Sequence, residues 1–167
     1  AIELSSEPGV GTHFKVRLPL TLAIIDGFLV SISSDTFVIP LAMIVECIEL
    51  ETINDTYDHA ENYINLRGEV LPLVDLRELL TIPGDIGNRR NIVVVQNGHN
   101  KAGIVVDQLL GEFQAVIKPL GPIFNHVRAV SGCTVLGTGK VSLILDIPGL
   151  IQKAISKQSH DTSIRPM

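Results

Sequence analysis

A chain of 167 residues suffices for one ordinary domain or two small ones, and a net charge of −5 argues against a nucleic-acid surface, which needs concentrated Lys and Arg. Hydrophobic residues make up 46% of the chain, aromatics only 4%, and Trp is absent, so the core must be aliphatic, a bias that favours strands. No apolar run reaches the ~18–20 residues that span a bilayer, which argues against direct membrane insertion. Cys47 and Cys133 are too few for a disulfide framework. Both sit in apolar runs and are expected to be reduced core thiols of a cytoplasmic protein. The start AIELSSEPG lacks the regions of a signal peptide and an initiator Met, so a piece of a longer chain is expected.

Taken in order, Ile2 and Leu4 alternate with polar residues, and Pro8-Gly9 and Gly11 make a turn. His13 to Leu18 alternates polar and apolar, a half-buried strand closed by Pro19. Two strands and a turn cannot form a core alone, so residues 1–21 look like the last hairpin of another domain. From Leu22 a second unit begins. Strands are expected at Phe28–Ile32 and Thr36–Ile39 around a Ser33-Ser34-Asp35 turn. A short helical turn within Leu41–Cys47, the strand Val45–Leu50 and a surface loop over Glu51–Glu61 follow. Ile64–Leu66 and Val70–Val74 then pair across Arg67-Gly68-Glu69. Asp75 caps a helix, with Glu78 three residues on as in a capping box.

Thr81–Arg90 reads as a linker. Beyond it, Ile92–Val95 and Ala102–Val106 flank the hairpin turn Asn97-Gly98-His99-Asn100. A helical turn ending at Gly111, the strand Phe113–Ile117 and a loop over Gly121–Val130 come next. A hairpin over VLGTGKVSLIL and a helix Ile147–Ser156, capped by Asp146 with Pro148 in its first turn, complete the unit. Residues 156–167 read as a polar tail.

The two halves are alike. INLRGEVLPLVDLRELL at 64–80 returns as VLGTGKVSLILDIPGLI at 135–151, with Gly68 on Gly139 and Asp75 on Asp146, an offset of 71 residues. Ile39 falls on Ile104 at an offset of 65, the difference being absorbed by loops. Five short strands per repeat usually curl into a barrel, which removes exposed edges. The expectation is therefore mainly β: two small barrels of about 22–88 and about 89–155, related by an approximate two-fold axis. Side by side, their seam and outer strands would offer grooves to partner proteins.

Few residues carry chemistry. Gly9-Val10-Gly11-Thr12 hints at a phosphate loop, but Phe14 occupies the last glycine position of G-x-G-x-x-G, so a tight turn competes. Gly137-Thr138-Gly139-Lys140 lacks the hydroxyl residue a Walker loop needs after Lys. The histidines lack ligand partners at metal-binding spacing. Asp75 and Asp146 could form a carboxylate pair, though a cap explains both. Arg67, with Gly68 and Glu69, sits on a turn tip, either as a solvated charge or as an anchor in a protein interface.

The stretches RGEVLPLVDLRELL, GIVVDQLLGEFQAVIKPL and VSGCTVLGTGKVSLILDIPGLI resemble the CheW-like domain. EPGVGTHFKVRLPLTLAIIDGFLV resembles the junction, in chemotaxis histidine kinases of the CheA family, between the ATP-binding and CheW-like regulatory domains. The resemblance implies two SH3-like five-stranded barrels over 22–155, preceded by a hairpin from a truncated α/β ATPase domain. It implies a regulatory role in a two-component phosphorelay. The partners would be the CheW adaptor, the cytoplasmic tips of chemoreceptors and the kinase's own core, with receptor arrays reached through those partners. Gly9, Gly11 and Thr12 match the last glycine box of the ATP site, and Arg67-Gly68 matches the family's RG turn. The phosphoacceptor domain and the other ATP boxes are absent, so no cofactor is expected here, and ATP with Mg²⁺ belongs to the full-length kinase. A free-standing CheW-like adaptor, or a fragment contributing nucleotide binding, are the alternatives.

Overall fold

The computed structural model describes residues 2–16, 23–50, 62–84, 90–121 and 129–161. The loop expected over 51–61 and most of that over 121–130 lie outside these residues, as do His59, His126 and the last six positions. The protein is mainly β, with strands that form one hairpin and two five-stranded sheets.

The hairpin is β1 (Ile2–Glu7) and β2 (Gly11–Val16), antiparallel with Ile2 opposite Val16 and Leu4 opposite Phe14. Every one of its described residues is exposed. Two strands with a bare apolar face cannot hold themselves together by burial.

The remaining strands divide evenly between the repeats. The first repeat supplies β3 (Ile24–Ile32), β4 (Asp35–Pro40), β5 (Ile44–Glu49), β6 (Tyr63–Leu66) and β7 (Glu69–Asp75). A 3-10 turn, Leu41–Met43, joins β4 to β5, and α1 (Leu76–Leu79) follows β7. The second supplies β8 (Asn91–Asn97), β9 (Asn100–Val106), β10 (Gln108–Val116), β11 (Val130–Val135), β12 (Val141–Leu145) and α2 (Ile147–Asp161). Helix α2 continues past Ser156, where the sequence suggested a tail. The helical turn expected at Leu109–Gly111 is strand instead, because a β-bulge with Gly111 at φ +111° absorbs the extra residue.

A boundary near residue 88 separates the repeats in sequence but not the sheets. One sheet has the order β10-β3-β4-β12-β11 and the other β5-β8-β9-β7-β6. Each barrel therefore takes its first two strands from one repeat and the other three from its partner. The joints are two parallel pairs, β4 with β12 (Phe37 opposite Leu143) and β9 with β7 (Gly103 opposite Leu73). These pairings match at offsets of 65 and 71, since Val38 lies opposite Ile144 as Gly103 lies opposite Leu73. The bulge between Leu109 and Gly111 likewise repeats one between Ile44 and Glu46, at an offset of 65. The first sheet closes through paired backbone hydrogen bonds between Lys118 and Cys133, which bring β10 to β11. We call this sheet barrel A and the other barrel B.

Each barrel has a small interior of its own, Val38, Ala115 and Ile144 in A and Ile64, Leu71, Leu73, Ile92, Val94 and Val105 in B. The largest core lies between them. Val30, Ile32, Phe37 and Ile39 of barrel A meet Val74, Val93, Val95, Ile104 and Val106 of barrel B, and Leu150, Ile151 and Ala154 of α2 pack into the same cluster. The seam is thus filled with aliphatic side chains rather than open as a groove. The central strands are covered on both faces, which is why their sequences, such as IVVV in β8, are continuous apolar runs.

The interiors balance their volumes by exchanging a glycine. Barrel A places Gly27 beside Val38, and a Cβ on Gly27 would lie 2.3 Å from Val38 Cγ1. The equivalent positions in barrel B, 65 residues on, are Ile92 and Gly103. A Cβ on Gly103 would lie 2.7 Å from Ile92 Cγ2 and 2.5 Å from Leu73 Cδ2. Both capping aspartates act as expected: Asp75 Oδ1 accepts from the amides of Arg77 and Glu78 at 2.9 and 3.4 Å, and Asp146 from that of Gly149 at 3.3 Å. The cysteines depart from expectation. Cys47 is exposed, because β5 alternates and turns residues 45, 47 and 49 outward, and Cys133 on β11 is half-buried.

Gly103→Ala and Gly27→Ala each overpack a barrel interior and should destabilise the protein by about 1–3 kcal/mol. Urea denaturation measures this, and a loss within error of zero for both would show the interiors to be loosely packed.

Candidate interaction surface

The turn between β6 and β7 carries the charges singled out in the sequence. Leu66 pairs with Glu69, leaving Arg67 and Gly68 as a two-residue loop with φ of +53° and +88°. Positive φ at both central positions is the type I′ geometry that matches strand twist in tight hairpins. Asn65 Oδ1 accepts from the Gly68 amide at 2.9 Å and braces the loop. Glu69 opens β7 rather than belonging to the turn.

Arg67 is not free in solution. Its Nη1 and Nη2 donate to the two carboxylate oxygens of Glu46 on β5, at 3.3 and 3.0 Å. β5 and β6 stand at opposite ends of the strand order, so this bidentate pair spans the closure of barrel B. Glu69 is also engaged, accepting from Lys101 Nζ on neighbouring β9 at 3.0 Å. Charges of alternating sign thus run Lys101, Glu69, Arg67, Glu46 around this end of the barrel, with Val45 and Val70 exposed on the same strands. Glu46 and Lys101 escape sequence reading because their partners are 21 and 32 residues away.

Magnitudes separate the possible roles of Arg67. Its side chain is 76% exposed, and a pair so open to water contributes about 1 kcal/mol at most. A non-glycine residue in the left-handed region costs roughly 1–2 kcal/mol. The ion pair therefore at best offsets the strain of the turn position.

The second copy of the turn differs. Gly139, at φ +82°, keeps the glycine, but Thr138 replaces the arginine and the loop is longer. Lys140 there donates to the Ser34 carbonyl on the β3–β4 turn.

Gly9, Gly11 and Thr12 gather at the tip of the β1–β2 hairpin. Both glycines have positive φ, and the Thr12 hydroxyl is hydrogen-bonded to that of Ser6 at 3.0 Å. Among the described residues, no three His, Cys, Asp or Glu side chains gather as metal ligands.

Partial burial raises the Cys47 thiol above its usual range, and the neighbouring Glu46 carboxylate raises it further. The thiolate is the reactive form, so alkylation should be slower than for an unstructured cysteine at the same pH. Glu46→Gln removes the second cause and should speed modification of Cys47 by iodoacetamide near pH 8. No acceleration would mean that the Glu46 charge does not reach the thiol.

Residues 26–154 match the CheW-like domain family. The chain is 34% identical to the sensor histidine kinase CheAY of Helicobacter pylori over 165 residues, 98% of this chain and 20% of that protein. It is 35% identical to the chemotaxis protein CheA of Rhizobium meliloti over 99% of this chain and 22% of that protein. It is 42% identical to CheA of Borreliella burgdorferi over 87% of this chain and 17% of that protein. It therefore spans about a fifth of the length of these relatives. Among solved structures, the scaffolding protein TtCheW of Thermoanaerobacter tengcongensis superposes with a TM-score of 0.62 at 20% identity, over 74% of this chain and 89% of that one. Two strand-exchanged barrels and a family match over most of the sequence place this chain in the CheW-like domain family.

Proposed function

We propose that this chain is the regulatory module of a chemotaxis histidine kinase of the CheA type. It binds a CheW adaptor and couples chemoreceptors to the kinase core. The observation that carries this reading is the reach of the alignments. Those to the Helicobacter pylori and Rhizobium meliloti proteins take in 98% and 99% of the chain, and so include β1 and β2, whereas the family match begins at residue 26. An adaptor made of barrels alone has no use for that hairpin. The second reading, a free-standing adaptor, is favoured by the fold shared with TtCheW over 89% of that protein.

On the first reading the hairpin belongs to an ATP-binding domain, and Gly9, Gly11 and Thr12 are the remnant of its last glycine box. Nucleotide and Mg²⁺ then act in the complete kinase, and this chain alone catalyses nothing. Partner recognition falls to the barrels. Arg67, Gly68 and Glu69 present a rigid, pre-paired set of charges, and an arginine held at a cost in strain fits an interface anchor. No helix among the described residues is long and apolar enough to cross a membrane.

Calorimetric titration with the cognate CheW adaptor should show binding without nucleotide, and titration with ATP and Mg²⁺ should give no heat. Absence of adaptor binding by the intact chain would overturn the reading. Arg67→Asn makes the loop Asn-Gly, suited to the type I′ turn, and should leave stability unchanged or raise it by up to about 1 kcal/mol. The same variant should weaken adaptor binding by about tenfold or more, equivalent to about 1.4 kcal/mol. Undiminished binding would exclude this turn from the adaptor surface.

A further inference from the structure

The chain crosses between the barrels at two places, and the two crossings are built differently. From β4 to β5 it passes through Leu41–Met43, a 3-10 turn with no side-chain cap. From β9 to β10 it passes through a single residue, Asp107. At the equivalent position 65 residues earlier stands Ala42, so only one crossing carries a charge.

Asp107 holds both barrels at once. Toward barrel A, its amide donates to the Ser31 carbonyl at 3.0 Å, and its Oδ2 accepts from the Ser33 amide on the β3–β4 turn at 2.7 Å. Toward barrel B, its carbonyl accepts from Asn91 Nδ2 on β8 at 3.0 Å, and the same Oδ2 accepts from Arg77 Nη2 of α1. Arg77 is buried, and its Nη1 also donates to the carbonyls of Pro83 and Gly84 at 3.4 and 3.2 Å. Gly84 packs against this cradle at φ +123°, a backbone conformation that residues with a side chain rarely adopt. A second buried pair, Arg90 with Asp75, lies near by but joins β7 to β8 within barrel B.

We propose that the Arg77–Asp107–Ser33 linkage is a lock that fixes the angle between the two barrels. Aliphatic packing in the seam is non-directional, and by itself it specifies the angle between the barrels less sharply than directed hydrogen bonds do. Two hydrogen bonds converge on one half-buried carboxylate oxygen, one from a fixed backbone amide and one from a clamped guanidinium, and both are directional. The lock acts on the relation between surfaces on the two barrels, whatever partners occupy them.

The natural cysteines allow a direct test, since Cys47 lies on β5 of barrel B and Cys133 on β11 of barrel A. Spin labels at both, measured by double electron–electron resonance on the full chain, report the inter-barrel distance. Wild type should give one narrow distribution, and Asp107→Asn a broadened one. Because removing one charge strands a buried guanidinium, the paired change Arg77→Met with Asp107→Leu is the second variant. It should fold and show the same broadening. Arg90→Met weakens barrel B from within and should leave the distribution narrow. A distribution as narrow as wild type in the folded double variant, or equal broadening in Arg90→Met, would overturn the proposal.

Discussion

Two parallel strand pairs, β4 with β12 and β9 with β7, stitch the repeats together, and the rest of the architecture depends on them. Parallel neighbours need a long connection, so each pair must recruit strands from distant parts of the chain. That requirement is met by exchange: each repeat gives its first hairpin to one barrel and its last three strands to the other. The exchange also places four strands, β3, β4, β8 and β9, back to back at the centre. Their shared aliphatic core is larger than either barrel interior. The two barrels are thus built from both repeats around one shared core, and neither repeat makes a barrel of its own.

On this rigid frame, the surface residues that matter are those whose presence the frame does not explain. Arg67 sits in strained backbone and returns little through an exposed pair with Glu46. The other copy of the turn does without an arginine. Buried charge tells the opposite story: Arg77 and Arg90 face aspartates in places where loss of one partner would be costly. The exposed arginine therefore fits the recognition role proposed for it, and the buried ones fit a role in geometry.

Much of this was legible in the chain. The return of Gly68 and Asp75 as Gly139 and Asp146 marks the repeat, and hydrophobic alternation with Gly and Pro turns marks most strands. Both capping aspartates could be read because a cap is a local device. What could not be read is non-local. Nothing in LVD at 73–75 or GIV at 103–105 announces that those segments lie side by side in parallel. The fourth-position glycine of each interior makes sense only once Gly27 faces Val38 and Gly103 faces Ile92. Arg77 looks like an ordinary helix residue until Asp107, 30 positions away, folds onto it. Cys47 sits in an apolar run, yet β5 shows it to solvent, since a strand with alternating burial need not alternate in polarity.

The strand exchange is tested most directly by dividing the chain in the linker and producing residues 1–88 and 89–167 separately. Each half alone holds an incomplete set of strands for either barrel. Neither should show a cooperative unfolding transition by circular dichroism, and mixing the two should restore one. A cooperative transition in either isolated half would show that a repeat can close its own barrel, contradicting the exchanged architecture.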